Sequence, residues 1–353
     1  MKIFIDIGHP AHVHYFRNFI KIMENKGHEF FVSARDKEVA QYLLNYYKIK
    51  FTTRGKGRKS LFGKLTYIFE ADYKIYKLAK KFNPDLFLSF SSAYLAHVSK
   101  LLNKPHIAFD DTEHAKFEHI LTVPFTDVLL TPKCYSKYLG KKQVYFDSYM
   151  ELSYLRKKYF QPVKNIKFKL GLKENEEYII LRFVSWGASH DVGQTGLTNK
   201  TKEKIIKELE NKYKIFISSE SELPQKFQKY KLKINPEDLH SVLAYAKLYI
   251  GEGSTTASEC SMLGTPSIYI NSLTVGYCTE QDRKYSLCRH LVNEKNIFKI
   301  ITEMLNRSNY ENNYKRMLKD KIDLTAFMVW FIENYPNSKK IMQENPNYQY
   351  KFR

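Results

Sequence analysis

Residues 250–268 read IGEGSTTASECSMLGTPSI: a strand runs into a glycine-rich turn, the turn opens a helix, and Gly264-Thr265-Pro266 ends it. Gly251 and Gly253 let the backbone approach a ligand closely, and Ser254, Thr255 and Thr256 add hydroxyls to the free N–H groups of the first helical turn. Such a helix start accepts phosphate, assisted by the helix dipole. Glu259, one turn further in, is within reach of a ribose diol. A serine or threonine N-cap alone is common and structural. The whole string is more specific, and it predicts a phosphate site on an α/β scaffold.

The alternation continues outward from this stretch. In the carboxyl half, strands are read at Tyr178–Phe183, Ile215–Ser218, Leu248–Ile250 and Ser267–Ile270, with helices from Lys200, over Leu239–Ala246 and over Thr255–Leu263. In the amino half, strands are read at Lys2–Ile7, Phe30–Ser33, Ile49–Thr52, Leu86–Phe90, His106–Phe109 and Val128–Thr131. Between them, Val13, Phe16, Phe19, Ile20 and Met23 recur at helical spacing, and helices follow at Glu38–Tyr47, Leu65–Phe82 and Ala93–Leu102. Strands alternating with helices predict parallel sheets covered on both faces. The polar stretch Arg156–Glu177, with Pro162 and Gly171, reads as the linker. The expectation is two doubly wound, Rossmann-like α/β domains facing a central cleft: an acceptor or catalytic domain over 1–165, a nucleotide-binding domain over 172–335 and a tail over 336–353. The aromatic stretch Leu324–Ile332 requires burial and is expected to fold back across the junction. Ligands of such sheets bind beyond the carboxyl ends of the strands, which makes the cleft the expected site.

Composition narrows the classes. The 353 residues carry 57 Lys+Arg against 37 Asp+Glu, a net charge of +20, with 43% hydrophobic and 15% aromatic residues. That aromatic content excludes a disordered chain. Cys134, Cys260, Cys278 and Cys288 stand far apart without a CxxC pair, which excludes a disulfide scaffold. No run approaches the roughly 20 apolar residues that span a bilayer. The start MKIFIDIGHP lacks the form of a signal peptide, so a cytoplasmic protein is expected. The positive balance suits nucleic acid, an anionic membrane surface or phosphorylated ligands. Arg54, Lys56, Arg58, Lys59 and Lys64 form one basic cluster without an intervening acid, followed by an amphipathic segment of aromatics and lysines. It reads either as an ordinary core-facing helix behind a loop or as a docking surface for the inner face of the cell membrane. No RNP-like motif, zinc finger or helix-turn-helix is recognisable, which leaves a basic nucleic-acid-binding protein as a minor alternative. That alternative predicts steeply salt-dependent oligonucleotide binding.

Three further segments carry candidate chemistry. Gly8-His9-Pro10-Ala11-His12-Val13-His14 places imidazoles after the first strand and at the start of the first helix, with His12 and His14 as candidate proton acceptors. The HxxHxH spacing also raises a zinc reading, which ranks below helix capping and substrate contacts, so no metal is expected. Asp110-Asp111-Thr112-Glu113-His114, with Glu118 and His119, lies just past a strand, where a cleft enzyme keeps its proton-transfer groups; Asp111 and Glu113 are the candidates. Arg182-Phe-Val-Ser-Trp-Gly-Ala-Ser-His-Asp191 follows the first strand of the second half, with Arg182 and Trp186 as ligand contacts and His190 as a further catalytic candidate.

These segments resemble known proteins. GHPAHVHYFRNFIKIMENKGHE is similar to the Gly/His loop and first helix of GT-B glycosyltransferases such as the lipid II synthase. GEGSTTASECSMLGTPSI resembles the donor-binding helix of those enzymes and of UDP-N-acetylglucosamine 2-epimerases. Nearly end to end, the chain resembles domain-of-unknown-function family 354, a GT-B-like group, through DIGHPAHVHYF, NPDLFLSFSSAYLA, FDDTEHA, VSWGASHD and the glycine-rich helix. The resemblance implies that Gly253, Ser254, Thr255 and Thr256 hold the diphosphate of a nucleotide sugar and Glu259 its ribose, with the sugar nucleotide, UDP-linked, as substrate and no separate cofactor. It places Asp111, Glu113 and Glu118 near the catalytic acids of the epimerases. It places His190 near their functional histidine, although Asp191 stands where they carry arginine. The expected function is a metal-independent glycosyltransferase of surface polysaccharide or glycolipid assembly, acting on a lipid-linked or saccharide acceptor. The alternative is a UDP-sugar 2-epimerase.

Overall fold

Lys2–Ile7 (β1) buries Ile3, Phe4, Ile5 and Ile7 almost completely, as a strand covered on both faces must. It pairs in parallel with both Glu29–Arg35 (β2) and Leu86–Phe90 (β4). Thr52–Gly55 (β3), His106–Phe109 (β5), Val128–Pro132 (β6) and Gln143–Phe146 (β7) complete a seven-stranded sheet in the order β3-β2-β1-β4-β5-β6-β7. A second sheet is built from Tyr178–Phe183 (β8), Lys214–Ser219 (β9), Leu248–Gly251 (β10), Ser267–Ile270 (β11) and Cys288–Leu291 (β12), in the order β12-β11-β10-β8-β9. Every pairing within these sheets is parallel. Strand order therefore reverses at β1/β4 in one sheet and at β8/β10 in the other, the two places where such sheets open a crevice for ligands. These descriptions come from a computed structural model that covers residues 1–57, 61–184, 196–219 and 222–353, without the side chains of Leu61, Phe62, Lys64 and Leu65.

Right-handed crossovers put the helices Pro10–Asn25 and Glu38–Tyr46 on one face of the first sheet and Leu61–Phe82, Ala93–Leu101 and Lys116–Thr122 on the other. On the second face, Ile75 and Ala79 interlock with Leu95, Val98, Phe4 and Phe87. His97 ties the three helices of that face together: Nδ1 lies 2.9 Å from Asp72 Oδ2 and Nε2 3.0 Å from the Leu121 carbonyl. Both ring nitrogens face acceptors, so the protonated ring satisfies both, and the hydrogen bond to Asp72 raises its pKa.

The chain divides into two units, 1–154 with 322–353, and 155–321. The boundary therefore lies earlier than the expected 165–172, and residues 322–335 belong to the first unit rather than the second. The reason is the helix Leu324–Glu333, apolar nearly all round, with only Asp323 to cap it. It packs beside Pro10–Asn25, where Thr325 Oγ donates to the Ser153 carbonyl (2.7 Å), Phe327 lies 6.4 Å from Phe146, and Glu333 accepts from Lys26 (2.7 Å). The third strand also starts later than Ile49. Lys48 turns through a left-handed φ of 58°, and the Ile49 amide donates back to the Leu44 carbonyl (2.9 Å).

Four strand ends converge on Asp6. Its Oδ1 accepts from Ser33 Oγ on β2 (2.7 Å) and from Arg54 Nε on β3 (2.8 Å), and its Oδ2 from Ser92 Oγ just past β4 (2.7 Å). Arg54 Nη1 donates to the Tyr67 hydroxyl (2.8 Å), and the guanidinium faces the Tyr94 ring at 4.5 Å. Burial opposes the charge on Arg54, but the neighbouring Asp6 carboxylate more than offsets it and keeps the guanidinium firmly protonated. At 3% exposure, Arg54 cannot touch a membrane, which removes it from the expected basic docking cluster. Of that cluster Lys56 is exposed, while Arg58, Lys59 and the Lys64 side chain lie outside the described residues. Replacing Asp6 with Ala strands a buried cation and is expected to cost about 3–5 kcal/mol in chemical denaturation. The double replacement of Asp6 by Leu and Arg54 by Met should cost clearly less than Asp6→Ala.

Candidate functional site

In the second unit the glycine-rich turn sits at the β8/β10 reversal. A Cβ on Gly251 would stand 2.4 Å from the Tyr249 hydroxyl, and one on Gly253 would meet Arg182 Nε at 3.4 Å, so the backbone passes close against both side chains. Gly253 is the N-cap of the helix Ser254–Leu263, whose first-turn amides find no partner within the helix, with Ser254 and Thr255 partly exposed and Thr256 buried. Tyr277 donates to Ser254 Oγ (2.8 Å) and orients it. Arg182, near the end of β8, runs beside the turn and donates to Ser218 Oγ (2.8 Å). Arg182 and the turn at Gly253–Ser254 thus come together. Glu259 is buried, and its Oε1 lies 2.9 Å from Nε2 of the equally buried His240, a partner that sequence reading did not supply. Trp186 and His190 lie outside the described residues.

Glu252, between the two glycines, is a residue that sequence reading passed over. Its carboxylate accepts from the amides of Val184 (3.0 Å) and Leu197 (2.9 Å), and Lys202 Nζ stands 3.2 Å away. One buried side chain therefore holds both ends of the segment that leaves β8. Only its place in the Gly-Glu-Gly string hinted at a role, since an acid at a strand end usually reads as solvated.

In the first unit the three histidines separate. His9 caps the helix Pro10–Asn25, its Nδ1 accepting from the Ala11 amide (3.2 Å). His12 Nδ1 accepts from the Gly8 amide (3.3 Å), and its ring lies 4.9 Å from Phe90. Burial, then the nearby His9, Lys37 and Arg54, hold its pKa well below the usual imidazole value. The ring is neutral, and with Nδ1 accepting it presents an Nε2–H donor rather than a base. His14, two residues on, turns to another side of the helix, where it stacks on Tyr154 (5.2 Å) and contacts Arg17 (3.2 Å). It belongs to an aromatic packing cluster, apart from His12. Among the described residues no three His, Cys, Asp or Glu form a group able to hold a metal ion.

The acidic loop after β5 does converge. Asp110 Oδ2 accepts from the Tyr135 hydroxyl (2.9 Å) and lies 2.6 Å from His119 Nε2, and its Oδ1 accepts from the Thr112 amide (2.9 Å). Glu113, also buried, accepts from the Ser136 amide (3.3 Å). Asp111 lies between these acids. Burial, then the charges of Asp110 and Glu113, push its carboxyl up to about 8. His119 stands in the segment that the sequence singles out, whereas Tyr135 had no signal beyond its residue type, because it arrives from beyond β6. The raised pKa has a stability consequence. The folded chain keeps a proton on Asp111 that the unfolded chain releases near pH 4, so the wild type loses stability as pH rises toward about 8 and then levels. Asp111→Asn carries no such cost. Its Tm should match the wild type near pH 4 and exceed it at pH 8, by thermal melts across that range.

Both units are parallel α/β folds whose polar side chains gather at the carboxyl ends of the strands. The chain belongs to the family described as Protein of unknown function (DUF354), whose model matches residues 1–337. A Methanocaldococcus jannaschii relative, Uncharacterized protein MJ0665, is 26% identical over 278 residues, 76% of this chain and 81% of that protein. Among solved structures, the UDP-GlcNAc 2-epimerase from Neisseria meningitidis bound to UDP-GlcNAc aligns over 91% of this chain and 99% of its own, with TM-score 0.62 and 12% identity. Spinosyn rhamnosyltransferase SpnG, complexed with spinosyn aglycone, aligns over 95% and 100%, with TM-score 0.61 and 12% identity. The fold is thus GT-B-like, shared by epimerases and glycosyltransferases.

Proposed function

We propose that the protein is a nucleotide-sugar-dependent glycosyltransferase of surface polysaccharide or glycolipid assembly. The observation that carries this reading is the glycine-rich turn at the β8/β10 reversal, where Gly253, the start of the helix Ser254–Leu263 and Arg182 come together; Asp111, its carboxyl pushed up to about 8 by burial, is the candidate general base. The donor diphosphate binds at the start of the helix Ser254–Leu263, met by its free amides, the hydroxyls of Ser254, Thr255 and Thr256, and Arg182; Glu259 takes the ribose. An acceptor hydroxyl attacks C1 of the sugar and gives up its proton to a general base, for which Asp111 is the candidate. The C1–O bond breaks, and its electron pair leaves with the nucleoside diphosphate. His12, neutral with Nδ1 accepting from the Gly8 amide, offers an Nε2–H donor rather than a base.

A thermal-shift screen against UDP-, GDP-, CMP- and dTDP-sugars tests the donor site, since a bound ligand raises Tm by mass action. UDP-sugars should stabilise the protein, and Glu259→Ala or the pair Ser254→Ala/Thr255→Ala should weaken their binding about tenfold. No stabilisation by any nucleotide sugar would sink the reading. Transfer should accelerate as pH rises through about 8 and then level, because the base must be deprotonated.

The crowding of Asp111 with Glu113 favours a second reading, a UDP-sugar 2-epimerase, because two neighbouring carboxyl groups can serve as acid and base on one sugar. That enzyme would isomerise UDP-N-acetylglucosamine without an acceptor, and its rate would fall above about pH 8 as Asp111 lost the proton it donates.

A further inference from the structure

The helix layer formed by Leu61–Phe82, Ala93–Leu101 and Lys116–Thr122 carries an outer surface that neither catalysis nor donor binding uses. The first helix buries Tyr67, Ala71, Ile75 and Ala79 at four-residue spacing against the sheet. The opposite stripe holds Phe69, 76% exposed, Tyr73, 59% exposed, and then Lys77 and Lys80. The third helix exposes Phe117 (52%) and Ile120 (68%) three residues apart on one face. His97 stands between them, bound to Asp72 beside Tyr73 and to the carbonyl of Leu121 beside Ile120. An apolar surface of this kind marks an interaction site, and its neighbours specify the partner's charge.

Those neighbours are mainly cationic, although Glu118 of the third helix is partly exposed among them. Lys77, Lys80, Lys100 and Lys116 are exposed on the same layer, and Lys77 lies 4.5 Å from the Tyr73 ring. The acids of the first helix are already engaged, Glu70 by Lys74 (2.9 Å) and Asp72 by His97 (2.9 Å). Two such basic faces on a chain of charge +20 repel each other, which argues against a second copy as the occupant. We propose that this layer docks on an anionic lipid surface, with Phe69, Tyr73, Phe117 and Ile120 entering the headgroup boundary and the lysines pairing with lipid phosphates. Aromatic side chains framed by lysines suit that boundary. The surface keeps the amphipathic segment read in the sequence and extends it to the third helix, but drops Arg54 of the basic cluster, which is buried.

Co-sedimentation of the full chain with vesicles tests this, independently of any enzymatic assay. Binding is expected to mixed phosphatidylcholine/phosphatidylglycerol vesicles and not to phosphatidylcholine alone, and to weaken with salt. Lys77→Glu/Lys80→Glu should lower it about tenfold or more. Phe69→Ser/Tyr73→Ser should lower it similarly without moving Tm, because both side chains are exposed. Wild-type affinity in both double variants, equal binding to neutral vesicles, or no binding to either would overturn the proposal. So would a dimer in analytical ultracentrifugation that Phe69→Ser/Tyr73→Ser dissociates, since the face would then be a protein interface.

Discussion

The first unit is organised around the burial of one carboxylate. Asp6 sits at the point where strand order reverses, and it binds side chains from β2, from β3 and from the turn after β4. A charge in that position is tolerated only with a full set of donors, and Arg54, Ser33 and Ser92 supply them. The arrangement fixes the ends of four strands relative to one another. The histidine turn at Gly8–His12 starts two residues beyond Asp6 and inherits that rigidity. Arg54 in turn contributes to the cationic surroundings that keep His12 neutral.

Much of the fold was legible because parallel strands buried on both faces write continuous apolar runs, as in Lys2–Ile7 and Leu86–Phe90. The short edge strands were harder. β12 reads Cys-Arg-His-Leu, with little apolar pattern, and β7 was not recognised. The carboxyl-terminal helix Leu324–Glu333 showed that it needed cover, but its attachment to the first unit rests on contacts hundreds of residues away, such as Glu333 with Lys26. Periodicity is a local signal and cannot report such pairings.

The candidate sites divide in the same way. The glycine-rich turn was legible because its chemistry is local: backbone amides, hydroxyls and the absence of side chains on Gly251 and Gly253. The acidic loop was legible as a cluster, but not in its electrostatics. Asp110, Asp111 and Glu113 are near-identical in sequence terms, yet Asp110 is bound by Tyr135 and His119 while Asp111 bears the cost of burial beside two acids. The histidines misled for a geometric reason. Residues two apart on a helix point to different sides, which sends His14 into the packing around Tyr154 while His12 stays at the strand ends.

Glu252 has a consequence for how this architecture diversifies. Because its carboxylate holds the amides of both Val184 and Leu197, the chain enters and leaves that segment at one fixed gate beside the glycine-rich turn. The entropic cost of closing a loop grows only slowly with its length, so a segment anchored at both ends tolerates changes of length and composition between the anchors. Exchange of the residues in between then leaves the frame that carries the glycine-rich turn as it is.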